Sequence, residues 1–363
     1  MNPNARIPPW TIGAPMIAGA VLIAALLLPG LAHAGIFLAL IAAALAGCVF
    51  AAVHHAELVA HRVGEPLGTL VLALAVTLIE VALIVSLMAA GGDGAAGLAR
   101  DTVFAAVMII LNGIIGLCLL VGGAVHREQS FSLDGVSAAL VALGTIVIMT
   151  LVFPNYTVTA PGPFYSRSQL LLIGLVTLVV YGAFIFTQTI GHRRIFLHGE
   201  PPPSAQPAVR PGKGITALSA VLLLMCLTAV VLLAKKLAPS LEAAVLRVGA
   251  PNALVGVIIA AIVLMPEGLA ALRAARANRL QTSLNLALGS ALASIGLTIP
   301  AVSFLSLYMH SRLMLGIDAR STVLLILSLF VTSLALRTGR TIVLHGIVLL
   351  VVFVVYIFTT VVP

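Results

Sequence analysis

Two glutamates are the residues of this sequence best placed to do chemistry. Glu80 ends the stretch RVGEPLGTLVLALAVTLIE (residues 62–80), and Glu267 ends RVGAPNALVGVIIAAIVLMPE (residues 247–267). Both stretches open on Arg-Val-Gly-x-Pro and then run through an apolar segment of membrane-crossing character. A charge at the centre of a membrane helix costs about 2.5–3.5 kcal/mol on insertion scales, so such a residue faces a polar cavity or a partner and marks a functional site by default. A pair of carboxylates attracts a cation, and poor solvation favours their protonated form, so protons compete for the same oxygens. That competition is the chemistry of exchange.

The polar residues near these two acids are uncharged. Thr77 lies one turn before Glu80, and Asn112, Asn285, Ser290 and Ser294 lie in the spans that follow the two glutamates. Their oxygens suit a shell for Na+ or Ca2+, and the same groups also suit hydrogen bonds between helices. Pro266, just before Glu267, removes a backbone donor and frees a carbonyl that can line a cavity. Gly113, Gly116, Gly289 and Gly296 allow close approach of backbones.

A second polar cluster is VHHAELVAHRVGEP, residues 53–66. His54, Glu57 and His61 follow i, i+3, i+7 spacing on one helix face, where the second span is expected to meet the cytoplasm. Imidazoles and a carboxylate at a cavity mouth can pass protons at neutral pH, which makes Glu57, His54 and His61 a candidate proton path. The alternative is a metal site in an intramembrane hydrolase. The chain has no HExxH, no GxSxG and no Walker sequence, which weighs against an enzyme or a primary pump.

The elements that must position these residues follow from composition. Of 363 residues 61% are hydrophobic and 8% are charged, and the mean hydropathy is +1.20, more apolar surface than a water-soluble domain of this size can bury. The net charge of +8 comes from 19 Lys and Arg scattered through short hydrophilic gaps, with no basic patch interleaved with aromatics, so nucleic acid is not an expected partner. Cys48, Cys118 and Cys226 each sit inside an apolar run and are expected to pack as small apolar side chains. Crossing the hydrocarbon takes about 20 apolar residues, and eleven runs qualify or nearly do: 15–32, 36–54, 67–90, 103–124, 135–153, 168–190, 215–234, 253–271, 282–305, 321–336 and 341–361. The first run, ending in LAHAG, also resembles a signal peptide; its length and the span that follows at once favour a retained helix.

Sorting the basic residues by side gives twelve with the N-terminus and seven opposite, which places the N-terminus in the cytoplasm. The Pro-rich basic segment 191–214 is expected to be a cytoplasmic linker. The domain reading is therefore an N-terminal helix in 1–33, a first five-helix repeat in 34–190, the linker in 191–214, and a second five-helix repeat in 215–363. Five spans separate Glu80 from Glu267, so the two copies enter from opposite faces, an inverted repeat of the kind that sets substrate sites near the midplane. LNGIIG (111–116) and LNLALG (284–289) form a second twin. The fold expected is an all-α polytopic membrane protein of about eleven transmembrane helices.

At three stretches the sequence resembles the calcium/cation antiporter superfamily, and within it the ChaA type of cation/proton antiporter. They are HHAELVAHRVGEPLGTLVLALAVTLIEVALIV, LNGIIGLCLLVGG, and VLMPEGLAALRAARANRLQTSLNLALGSALASIGLTIP. The resemblance implies one extra helix before two inverted five-helix repeats, proton-coupled export of cations, Glu80 and Glu267 as paired ion-binding acids, and Glu57 as an accessory acid near the proton path. It further implies a place in the bacterial inner membrane and no cofactor. Inorganic cations, protons and the lipid bilayer are the partners, and self-association into a homo-oligomer is compatible with the sequence. Three departures keep Na+ and K+ beside Ca2+ as expected cargo. Where Ca2+/H+ exchangers carry Gly-Asn-x-x-Glu, this chain has VTLIE and VLMPE; their glutamine after the second Gly-Ser is replaced by Ala293 or Ser294; and the linker is basic where theirs is often acidic.

Overall fold

The computed structural model describes residues 7–27, 35–64, 67–90, 96–191, 211–247, 249, 251, 253–310 and 312–362. Glu65, Pro66, residues 28–34 with the LAHA of the first run's end, and most of the 191–214 linker lie outside them. Among the described residues there are eleven long helices. They are α1 (Pro9–Leu27), α2 (Gly35–Val63), α3 (Leu67–Ala90), α4 (Leu98–His126), α5 (Leu133–Tyr156), α6 (Arg167–Gly191), α7 (Lys213–Arg247), α8 (Ala253–Arg276), α9 (Leu280–Met309), α10 (Ala319–Leu336) and α11 (Val343–Val361). The protein is an all-α membrane protein with one N-terminal helix followed by two sets of five, as its sequence leads one to expect.

Several boundaries move for local reasons. Helix α1 starts at Pro9 rather than near residue 15, because proline is pre-set for the first helical position and gives up no bonded N–H there. Helix α2 runs on to Val63 instead of stopping near residue 54; nothing between the apolar run and Gly64 breaks a helix. Helix α7 continues through Lys235, Lys236 and Pro239 to Arg247; Pro239 takes the donor from Lys235 O, and the Leu, Ala and Glu residues around it are strong helix formers that carry the helix on. At 35 residues it is about 52 Å long by its rise per residue, well beyond the hydrocarbon thickness.

The two Arg-Val-Gly motifs share a backbone conformation. Gly64, after α2, has φ +81° and Gly249, after α7, has φ +71°, left-handed values that only glycine adopts cheaply. Gly64 N–H closes on Ala60 O at 2.9 Å, the bond that satisfies one of the last helical carbonyls. Each motif is thus a helix stop, and the glycine is its working part.

The helices fall into two compact units. One holds α1, α2, α3 and α7; the other holds α4 to α6, most of α8, and α9 to α11. In the first, α2 packs against α1, α3 and α7. Cys48 and Cys226 are fully buried there and carry free thiols, Cys48 donating to Ala14 O at 3.5 Å. Arg62 Nη1 donates to Pro211 O at 2.8 Å, tying the end of α2 to the segment that leads into α7.

In the second unit α9 is buried along most of its length between α4, α5 and α6. A Cβ on Gly296 would lie 2.8 Å from the Tyr181 ring, so glycine is what lets α6 and α9 touch. Helix α8 lies along α4: Gly256 packs on Asp101, Gly268 on Ile114, and Ala271 and Ala275 on Cys118. A short ribbon absent from the sequence reading joins the unit's two hairpins. Strand β1 (Glu128–Ser130) pairs antiparallel with β2 (Arg340–Ile342), Gln129 facing Thr341. Gln129 is 2% exposed, and its amide donates to Ala275 O and Asn278 Oδ1, both at 2.9 Å. That links the ribbon to the end of α8.

Candidate functional site

Helices α3 and α8 are both 24 residues long, and Glu80 and Glu267 lie thirteen and fourteen residues beyond their first residues. The two acids therefore occupy matching depths in matching helices, one in each compact unit. On α3, Thr77 and Glu80 share a face and are 4% and 5% exposed. Thr77 Oγ1 is buried with no hydrogen-bond partner among the described residues, so one turn before the carboxylate a hydroxyl oxygen keeps its accepting capacity unused there.

On α8, Glu267 is half-buried and follows Pro266. The missing proline N–H leaves Ile262 O without its helical donor, one turn before the acid. A Cβ on Gly268, the next residue, would lie 3.1 Å from Ile114, which ends a π-helical segment inside α4, Ile109–Ile114. The turn carrying Glu267 thus lies beside the segment that carries Asn112. Such π segments widen a helix by one residue and are common at functional sites.

Asn112 is fully buried at the middle of α4. Its Nδ2 donates to Ser328 Oγ of α10 at 2.8 Å and its Oδ1 has no partner among the described residues. The amide is oriented by Ser328, and the oxygen is the end left over. Ser294 is buried at the middle of α9, with Ser290 one turn before it and half-buried. Pro300 sits one turn and a half further on and frees the carbonyl of Gly296.

Asn285 is placed differently. It lies five residues into α9, and its Oδ1 accepts from Gln281 Nε2 at 3.0 Å, while Gln281 Oε1 accepts the Ser132 N–H at 2.7 Å. LNGIIG and LNLALG therefore match in letters but not in depth; Ser294 is the α9 residue at the level that Asn112 holds in α4. Of the four glycines, Gly113 and Gly116 pack on Phe353 and Leu350 of α11 and Gly296 on Tyr181, whereas Gly289 faces open space.

The polar cluster lies within α2, on the helix where its spacing puts it. Glu57 and His61 are exposed. His54 is half-buried with its ring 6.0 Å from that of Trp10, and the neighbouring His55, which the spacing argument passed over, is fully buried and donates from Nε2 to Thr11 O at 3.2 Å. A histidine pair thus seats α1 on α2. Residues i and i+7 are about 10.5 Å apart along a helix axis, too far for His54, Glu57 and His61 to share one ion at ligand distances. No group of three or more His, Cys, Asp or Glu among the described residues could hold a metal.

The sodium/calcium exchanger protein family matches residues 33–190 and 218–362. The chain is 47% identical over 361 residues to the ionic transporter y4hA of Sinorhizobium fredii, covering 99% of this chain and 98% of that one. It is 37% identical over 313 residues to the sodium-potassium/proton antiporter ChaA of Escherichia coli, covering 85% and 84%. Among solved structures, the Ca2+/H+ antiporter YfkE has the same fold, with a TM-score of 0.71 at 16% identity and 98% of each chain covered.

Proposed function

This chain belongs to the sodium/calcium exchanger family and, within the calcium/cation antiporters, to the ChaA type; it is a secondary transporter and not an enzyme, and we propose that it exports Ca2+, Na+ or K+ in exchange for H+ through Glu80 and Glu267. The observation that carries this reading is the matched depth of the two acids in helices of equal length. Each supplies one negative charge to the ion, and Thr77, Asn112, Ser290 and Ser294 supply neutral oxygens; Asn285, held by Gln281, contributes from the cytoplasmic end of α9. A proton on either carboxylate removes a charge from the shell, so loading with cation and loading with protons exclude each other. Entry of protons down their gradient then drives the cation out. Sodium and potassium are the ions that give the antiporter ChaA its name, and calcium is that of YfkE; proton flux in vesicles challenged with each ion in turn separates them. The hydrolase alternative has no support from these relatives.

The transporter sits in the bacterial inner membrane with its N-terminus and the 191–214 linker cytoplasmic and Pro363 outside, a reading supported by eleven helices and the twelve-to-seven basic asymmetry. Reporter fusions after Arg210 and after Pro363 should report opposite sides; agreement between them would remove the odd span count.

Glu57 assists proton access from the exposed end of α2, with His61 one turn further along. Glu57→Gln should slow exchange or shift its pH optimum while cation binding persists. Wild-type rates at every pH would end that role.

A further inference from the structure

Away from the two acids, a cavity of about 470 Å3 lies between the 160–166 loop, the first turn of α6, the last turn of α9 and residues 310, 312 and 313. Its wall is preformed. Phe164 bridges Met314, Leu315 and Gly316 N–H both donate to Pro163 O, at 3.3 and 3.0 Å, and Asn155 Nδ2 holds Ile317 O at 2.6 Å. Tyr165 OH donates to Met149 O at 2.5 Å, and burial pushes its phenol pKa up, so it stays neutral.

The lining is amphipathic and of one sign. Arg167 and Arg312 border it with His310, and no acid does. Neither arginine forms an ion pair or hydrogen bond with a described residue; the ion pairs of the described residues are Arg100–Asp101, Arg320–Asp318 and Arg340–Glu128. His310 caps α9 in a left-handed conformation with Nδ1 donating to Tyr308 O at 3.0 Å, which fixes the ring. Arg167 opens α6 after the Ser166 capping box, and the start of a helix concentrates partial positive charge from its unbonded N–H groups. The apolar part of the lining includes Leu170, Leu307 and Leu313. The cavity stands at the ends of two membrane-crossing helices, the level at which lipid headgroups meet water.

We infer that this cavity binds a phosphate group, with Arg167 and Arg312 as its ligands and His310 beside them. Two guanidiniums with no carboxylate partner suit phosphate oxygens, which they bind in pairs, and the leucines of the lining suit an acyl chain attached to that phosphate. With the N-terminus cytoplasmic, the start of α6 and the end of α9 face outward, so the headgroup would be one of the outer leaflet. The inference is independent of which cation is carried.

The test is thermal unfolding of the purified full chain in phosphate-free detergent, titrated separately with short-chain phosphatidylglycerol and with inorganic phosphate. A saturable rise in Tm is expected, with apparent affinity falling about fivefold for each arginine replaced, the weight of one basic residue at a membrane surface. Arg167→Gln/Arg312→Gln should lose most of the effect, and Arg312→Lys should keep most of it. Arg247→Gln, which does not line the cavity, should titrate as wild type. Should the double variant not fold, Arg312→Gln alone carries the same comparison. A shift with phosphatidylglycerol only identifies a lipid headgroup, and a shift with both identifies phosphate itself. No saturable shift with either, or one undiminished in the arginine variants, overturns the assignment.

Discussion

Glu80→Gln and Glu267→Gln are each expected to abolish cation-driven proton flux while the protein still folds and inserts. Gln keeps the length and shape of the side chain but removes both its charge and its titration. Removing one member of a buried charged contact costs about 2–5 kcal/mol, so apparent cation affinity should fall at least about thirtyfold in either variant. The two losses should be similar in size, because the residues lie at the same depth of helices of the same length. Asp keeps the charge and withdraws it by one methylene, so Glu80→Asp and Glu267→Asp should retain weak exchange. Flux assays in vesicles, with circular dichroism and melting curves on the same preparations, separate loss of binding from loss of fold. Substantial exchange in either Gln variant would sink the paired-glutamate mechanism.

The largest structural effect is expected at Gly346 on α11. A Cβ there would collide with the Leu120 backbone N, and would lie 2.7 Å from Gly116 O and 2.8 Å from Leu120 Cα. All three are backbone atoms of α4, which cannot swing aside as a side-chain tip does, so the two helices would have to separate. Overpacking costs typically 1–3 kcal/mol and more where nothing can yield; Gly346→Ala should reach about 3 kcal/mol and lower the Tm of the detergent-purified protein by several degrees or prevent its accumulation. Gly144→Ala on α5, where nothing lies within 4 Å of the added methyl, should be neutral. Equal melting of the two variants would contradict the described packing of α4 on α11.

The two acids were legible because a charge in an apolar run is conspicuous, and their equivalence was legible because the same Arg-Val-Gly opened both runs. The left-handed glycines at 64 and 249 explain why that motif recurs. The extensions of α2 and α7 were not legible from apolar length, since a helix that leaves the hydrocarbon continues on propensity until something stops it. Asn285 shows the limit of letter matching: LNLALG repeats LNGIIG, but depth is set by where the helix begins, and α9 begins only five residues earlier. The π segment around Asn112 and the three-residue β ribbon arise from packing against distant elements and leave no local periodicity. The phosphate cavity is of the same kind, since Phe164 and Met314 meet across the fold from segments that are far apart in sequence.

In this mechanism protons and the transported cation compete for the same carboxylates. The most direct measurement is equilibrium cation binding to the purified wild-type protein across a pH series, with proton release recorded in the same titrations. Apparent affinity should weaken as pH falls, and each cation bound should displace protons to the extent that this pH dependence requires, because the coupling is reciprocal. Affinity that stays constant with pH, and binding that releases no protons, would contradict the account.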